Sequence, residues 1–120
     1  MGQWKTIYGI NDFIMKNHLC KSQHEKGAKL DSGKPLAGTV ILGFKEALAE
    51  VVKVGTFGAH KYTKNGWQEV EDGEDRYTEA LFRHLLASEE IDEESGQLHA
   101  AMAIWNMLAV LTFKLQKKKS

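Results

Sequence analysis

The sequence predicts an all-α domain, and three observations carry that prediction. Apolar residues recur at steps of three and four in three separate stretches, the spacing that lines one face of a helix. Pro35 is the only proline among 120 residues, so long uninterrupted helices are permitted almost everywhere. Hydrophobic residues make up 42% of the chain, and a single domain of this length buries a core without disulfides or structural metals.

Charge narrows the partners. Lys+Arg and Asp+Glu both count 16, so no global field recruits a nucleic-acid polymer or an anionic membrane, and any polyanion must be bound locally. Cys20 is the only cysteine, which excludes an intramolecular disulfide and suits a reducing compartment. The first residues lack a basic-then-apolar signal pattern. The longest apolar stretch, residues 100–113, is interrupted by Asn106 and Thr112 and falls short of the roughly 20 residues that span a bilayer. A cytoplasmic location is expected.

Taken in order, residues 1–26 form a separate N-terminal segment in which Tyr8, Phe13 and Ile14 allow a short amphipathic helix. Gly27, Ser32, Gly33 and Pro35 then mark a loop, a hinge or a binding loop, at the start of a domain expected over residues 27–116. A first helix is predicted over residues 40–54, with Ile41, Phe44, Leu48, Val51 and Val52 on one face and Glu46, Glu50 and Lys53 opposite. Gly55, Gly58 and Gly66 punctuate a connecting segment, and Asp72-Gly73-Glu74-Asp75 is a polar turn able to cap a second helix that starts near Arg76 and runs to about Glu90. Tyr77, Leu81 and Leu85 give that helix its core face. Asp92-Glu93-Glu94-Ser95-Gly96 breaks it and supplies an N-cap for a third helix over residues 97–115. There Leu98, Ala101, Trp105, Leu108 and Leu115 keep the helical spacing, while Ala103, Ile104, Met107, Val110 and Leu111 make the other faces nearly as apolar. A helix apolar all round needs cover on all sides, and three helices cannot enclose one of their own number, so a second subunit is expected to complete the bundle. Residues 117–120 read as a solvated basic tail.

The chemistry-bearing residues cluster late. If the second helix reaches that far, Glu89 and Asp92 each fall seven residues after an apolar position, Phe82 and Leu85, and continue the buried stripe. A carboxylate there is costly unless it meets a cation, and two on adjacent turns suit Mg²⁺ or Mn²⁺. The competing expectation is a helix already frayed by Ser88, with Glu89 solvated and Asp92 a cap. Glu46 and Glu50 make a second pair at helical spacing. With Lys53 beside Glu50 they read first as a salt-bridged surface, and as further metal ligands only if they face Glu89 and Asp92. His99 and Asn106 are seven apart on the buried third helix, and Tyr77 and His84 repeat that spacing on the second; such groups either satisfy each other across the bundle or line a pocket. Arg83 either pairs with Glu79 or reaches a phosphate. Lys61, Tyr62 and Trp67, in a loop beginning Gly58-Ala59-His60, either wrap a phosphate and stack on a base or merely pin a connection to the core. There is no P-loop, no dinucleotide fingerprint, no metal-binding cysteine set and no serine elbow.

From Gly27 to Phe113 the sequence resembles a phage-associated family of dATP/dGTP diphosphohydrolase-like proteins, related to the all-α NTP pyrophosphatases of the MazG type. The resemblance runs through Gly27-Ala28-Lys29-Leu30-Asp31-Ser32-Gly33-Lys34-Pro35, Gly58-Ala59-His60-Lys61-Tyr62, Arg76-Tyr77, Arg83-His84-Leu85, and Asp92-Glu93-Glu94-Ser95-Gly96 followed by His99 and Asn106. Ser88-Glu89 stands where members usually have Gly-Glu, and Met102 where they often have a second histidine. The resemblance implies a MazG-like helical bundle, a homodimer or homotetramer in the host cytoplasm, and metal-dependent hydrolysis of a nucleoside triphosphate, dGTP or dATP, to monophosphate and pyrophosphate. It makes Glu89 and Asp92 the first catalytic metal ligands and Glu46 and Glu50 the second. Lys61, Arg83 and His84 become phosphate contacts, and His99, Asn106, Tyr62 and Trp67 base or substrate contacts. Met102 and the loosely matching first carboxylate pair leave an alternative, a non-catalytic module that sequesters a host signalling nucleotide.

Overall fold

A computed structural model describes residues 24–119; the amphipathic helix expected around Tyr8 and Phe13, and Cys20, lie outside the described residues. The chain divides into two compact units, Met1–Gly43 and Phe44–Ser120. In the first, the 27–35 stretch is a pair of turns, with Ala28 N–H donating to the Glu25 carbonyl at 3.0 Å and Lys34 N–H to that of Asp31 at 3.1 Å. Helix α1, Ala37–Gly43, follows Pro35 and buries none of its residues.

The second unit carries α2 (Lys45–Lys61), a 3-10 turn (Gly66–Glu69), α3 (Gly73–Leu86) and α4 (His99–Lys119). Every described regular element is helical, as predicted, apart from one isolated antiparallel bridge between Ile91 and Leu98. Helices α3 and α4 form an antiparallel hairpin: His84 meets His99 at one end, and Glu74 meets Lys114 and Lys117 at the other. Helix α2 packs against the same α4. Between α3 and α4 stands a cluster of Trp67, Tyr77, Trp105 and Phe113, whose ring centroids lie 5.6–6.5 Å apart, mostly edge to face. Gly55 lets α2 approach this cluster, because a Cβ at that position would stand 3.1 Å from Trp105 Nε1.

Several boundaries differ from expectation. The predicted 40–54 helix is interrupted at Phe44, and α2 continues through Gly55 and Gly58 to Lys61. A helical glycine costs only about 1 kcal/mol, which packing on α4 outweighs. The start of the supposed phosphate loop, residues 58–61, is therefore the last turn of α2. Helix α3 begins at Gly73 and stops at Leu86, with Ala87 extended at ψ 134°, so Glu89 and Asp92 do not continue its apolar stripe. The frayed alternative is the one observed. Helix α4 extends through the basic tail to Lys119, since Lys117 pairs with Glu74 at 3.0 Å and lysines favour a helix C-terminus.

The core is built of small side chains. Val51, Val54, Ala101, Ala103, Ala109 and Val110 are its buried apolar residues, and Asn106 is buried among them. Of the first helix stripe only Val51 is buried; Ile41, Phe44 and Val52 are more than half exposed. On α4, Ile104, Met107, Leu108, Leu111 and Leu115 are all 43–50% exposed.

Candidate functional site

The polar residues gather where α3 turns into α4. His84, in the last turn of α3, points at His99, the first residue of α4, with their Nδ1 atoms 2.9 Å apart. The ring centroids are 5.1 Å apart, close to the longest separation that such a nitrogen contact allows, so the two imidazoles meet head-on. That geometry suits one shared proton, one ring donating N–H and the other accepting. Chelation of a single ion by both nitrogens would instead need their lone pairs to converge on a third point. Burial pushes the His84 pKa below its ordinary value, His99 and Arg83 push the same way, and Asp92 opposes them. His84 is thus mostly uncharged at neutral pH.

Asp92 organises the connecting turn. One of its carboxylate oxygens accepts from Ser95 N–H at 2.9 Å and from the Ser95 hydroxyl at 2.8 Å, and these bonds hold its pKa below the usual carboxylate value. The turn is closed at its base by Asp92 N–H donating to the Gln97 carbonyl at 2.8 Å and His99 N–H to that of Glu90 at 2.9 Å. Asp92 therefore caps this turn, through Ser95, rather than capping the start of α4. Met102 lies over it, with its sulfur 3.8 Å from the Ser95 hydroxyl.

Helix α2 reaches the same turn through its last residue. Lys61 forms an ion pair with Glu94, and its ammonium lies 5.2 Å from the centre of the Tyr62 ring. Tyr62 is 73% exposed, an aromatic face turned to solvent beside a cation. The α3–α4 turn is thus bordered by the His84–His99 pair and, through Glu94, by Lys61 with Tyr62 beside it.

The remaining expected site residues stand elsewhere. Trp67 belongs to the aromatic cluster of the hairpin, and its edge contacts with Tyr77, Trp105 and Phe113 pin the 3-10 turn to the core. Asn106 is satisfied within α4, its Nδ2 donating to the Met102 carbonyl at 2.8 Å. Arg83 is exposed and makes no ion pair with Glu79. Glu46 is exposed and Glu50 pairs with Lys53 at 3.0 Å, the surface arrangement weighed from the sequence. Glu89 is exposed on the bend after α3. Among the described residues no three or more His, Cys, Asp or Glu side chains gather around a metal-sized point, so Glu46, Glu50, Glu89 and Asp92 form no four-carboxylate cage within one chain. Glu94 and Ser95 were not singled out from the sequence as site residues. Their signal in the sequence is the acidic run Asp92-Glu93-Glu94 closing on Ser95-Gly96, which is also one of the stretches that carry the family resemblance.

The turn of this helical hairpin thus carries a cation, an exposed aromatic face and an imidazole pair in hydrogen-bond contact. The chain belongs to the family described as dATP/dGTP diphosphohydrolase, N-terminal, whose profile matches residues 24–120. No curated protein and no solved structure matches it. No helix among the described residues is long and apolar enough to cross a membrane.

Proposed function

We propose that the chain binds a purine deoxynucleoside triphosphate at the α3–α4 turn and hydrolyses it to monophosphate and pyrophosphate. The observation that carries this reading is the convergence of Lys61, His84, Asp92 and His99 around one turn. The description of the family supports it. Lys61 and the exposed Arg83 offset phosphate charge, and Tyr62 offers a stacking face to the base. A water adds to the α-phosphorus and its proton passes to the imidazole pair, where neutral His84 accepts it and the shared bond to His99 spreads the charge. The bond from the α-phosphorus to the bridging oxygen breaks, and pyrophosphate leaves with its electron pair.

Among the described residues the carboxylates stand apart and offer no cage for a resident metal within one chain. Mg²⁺ or Mn²⁺ is proposed to arrive on the triphosphate as part of the substrate. Such ions keep several waters and take one or two carboxylates beside the phosphates, and Glu89 and Asp92 flank the turn where that load would sit. The same dispersal of carboxylates favours a second reading, a module that binds the nucleotide and leaves it intact.

Pyrophosphate release from dATP, dGTP and their ribose counterparts with Mg²⁺ or Mn²⁺ separates the two. Wild type is expected to release pyrophosphate, and Glu89→Gln to lose about tenfold or more in rate with little change in affinity. Tight binding of an intact triphosphate after prolonged incubation would remove the hydrolase and leave the binding module.

A further inference from the structure

The Lys61–Glu94 pair spans 33 residues of sequence and is the contact that ties the end of α2 to the α3–α4 turn. We propose that Glu94 is a placeholder for phosphate: it holds the Lys61 ammonium while the site is empty and is displaced when a phosphorylated ligand takes that ammonium. The proposal rests on the nucleotide reading above and adds a positioning residue to it.

Three features of the pair support exchange over a fixed brace. Both side chains remain open to water, Lys61 at 39% and Glu94 at 64% relative exposure, so an incoming anion reaches the ammonium without unfolding anything. Ion pairs this exposed contribute little net stability, and a multiply charged phosphate competes well against one carboxylate. The ammonium also lies against the Tyr62 ring, itself 73% exposed, so a phosphate on Lys61 would carry its base toward an available aromatic face. The Glu74 pairs with Lys114 and Lys117 differ in kind. That carboxylate is only 20% exposed and braces the far end of the hairpin, away from the imidazoles.

The placeholder fixes Lys61 in a loaded position. Without it the four-carbon side chain would sample many rotamers, and part of the binding free energy would go to ordering it. Displacement also frees the Glu94 carboxylate on the turn that Asp92 shapes, so ligand entry changes the charge presented there.

The test is a binding cycle without divalent metal, so that turnover does not intervene. Inorganic pyrophosphate and a non-hydrolysable dGTP analogue are titrated by calorimetry into wild type, Glu94→Gln, Lys61→Gln and the double variant, with the thermal midpoint of each recorded to establish folding. Removing the competitor is expected to tighten binding by about two- to fivefold in Glu94→Gln. Lys61→Gln is expected to weaken binding, and Glu94→Gln to give no gain in the Lys61→Gln background. A gain that persists without Lys61 would reduce Glu94 to a nearby negative charge and overturn the proposal. Unchanged or weaker binding by Glu94→Gln, with wild type binding normally, would overturn it too while leaving the nucleotide reading intact. If wild type and all variants bind neither probe, with or without Mg²⁺, the nucleotide reading falls and the placeholder falls with it.

Discussion

His84 shows how the burial of one side chain ties stability to pH. Its pKa is depressed by burial, then by His99, from an ordinary value of 6.5. Between the folded and unfolded values the unfolded chain takes up a proton that the folded chain refuses. The contribution of His84 is therefore fully present above 6.5 and is lost as pH falls through the interval down to the folded value. Urea midpoints followed from about pH 7.5 to about pH 5 should drop more in wild type than in His84→Gln. Equal slopes would mean that the pair carries no pH-linked strain. Asp92 works on the same sign at lower pH. Its carboxyl is held down by Ser95, so the turn is stable above the ordinary carboxylate value and loosens as pH falls through the folded one.

At the scale of elements, two glycines give opposite predictions. A Cβ at Gly73 would stand 2.6 Å from Phe113 Cζ and 2.8 Å from Cε2, inside the aromatic cluster, whereas one at Gly58 in α2 meets nothing within 4 Å. Gly58→Ala should stabilise by about 0.5–1 kcal/mol through helix propensity, and Gly73→Ala should destabilise by about 1–3 kcal/mol because Phe113 must move. Chemical denaturation of the two variants reads both signs. The same glycines explain how far the elements were legible. The spacing of Tyr77, Leu81 and Leu85 and of Leu98, Ala101 and Trp105 located α3 and α4, because periodicity survives any boundary. In the sequence Gly55 and Gly58 read as punctuation, and only the contact of Gly55 with Trp105 reveals a glycine that close approach within a helix calls for. Of the site, His84 and His99 were legible as polar residues on core-facing positions. Their head-on contact was not, nor was the partnership of Lys61 with Glu94, because pairings across 15 and 33 residues depend on how three helices pack. Trp67 carried an ambiguous signal, since a base-stacking tryptophan and a core tryptophan look alike until the neighbouring rings are placed.

For the whole molecule, the telling quantity is what remains uncovered. Ile104, Met107, Leu108, Leu111 and Leu115 keep a three-four spacing and stay 43–50% exposed, so α4 shows solvent a continuous apolar stripe after α2 and α3 have packed on it. Burying the rest of each side chain would contribute about 1 kcal/mol apiece, enough to favour self-association once several are covered together. Light scattering at micromolar concentration should give a dimer or larger species, and Leu111→Glu should shift it to monomer without unfolding the hairpin. A monomeric wild type would require some other cover for the stripe.

The alanine-and-valine interior carries a consequence for how this sequence can drift. Ala101, Ala103 and Ala109 have almost no volume to give up, so the cavities that usually punish core substitutions cannot open at these positions. Enlargement has no such latitude, because a leucine or isoleucine there must push whole helices apart. Mutational tolerance along the buried face of α4 is accordingly lopsided. Substitution toward glycine costs only propensity, about 1 kcal/mol, while growth by a few methylenes shifts α2 and α3 together and misaligns Lys61 with the turn it must reach. Variation should therefore accumulate on the solvent faces and stop at the alanines, whose smallness sets the spacing on which the distant ion pair depends.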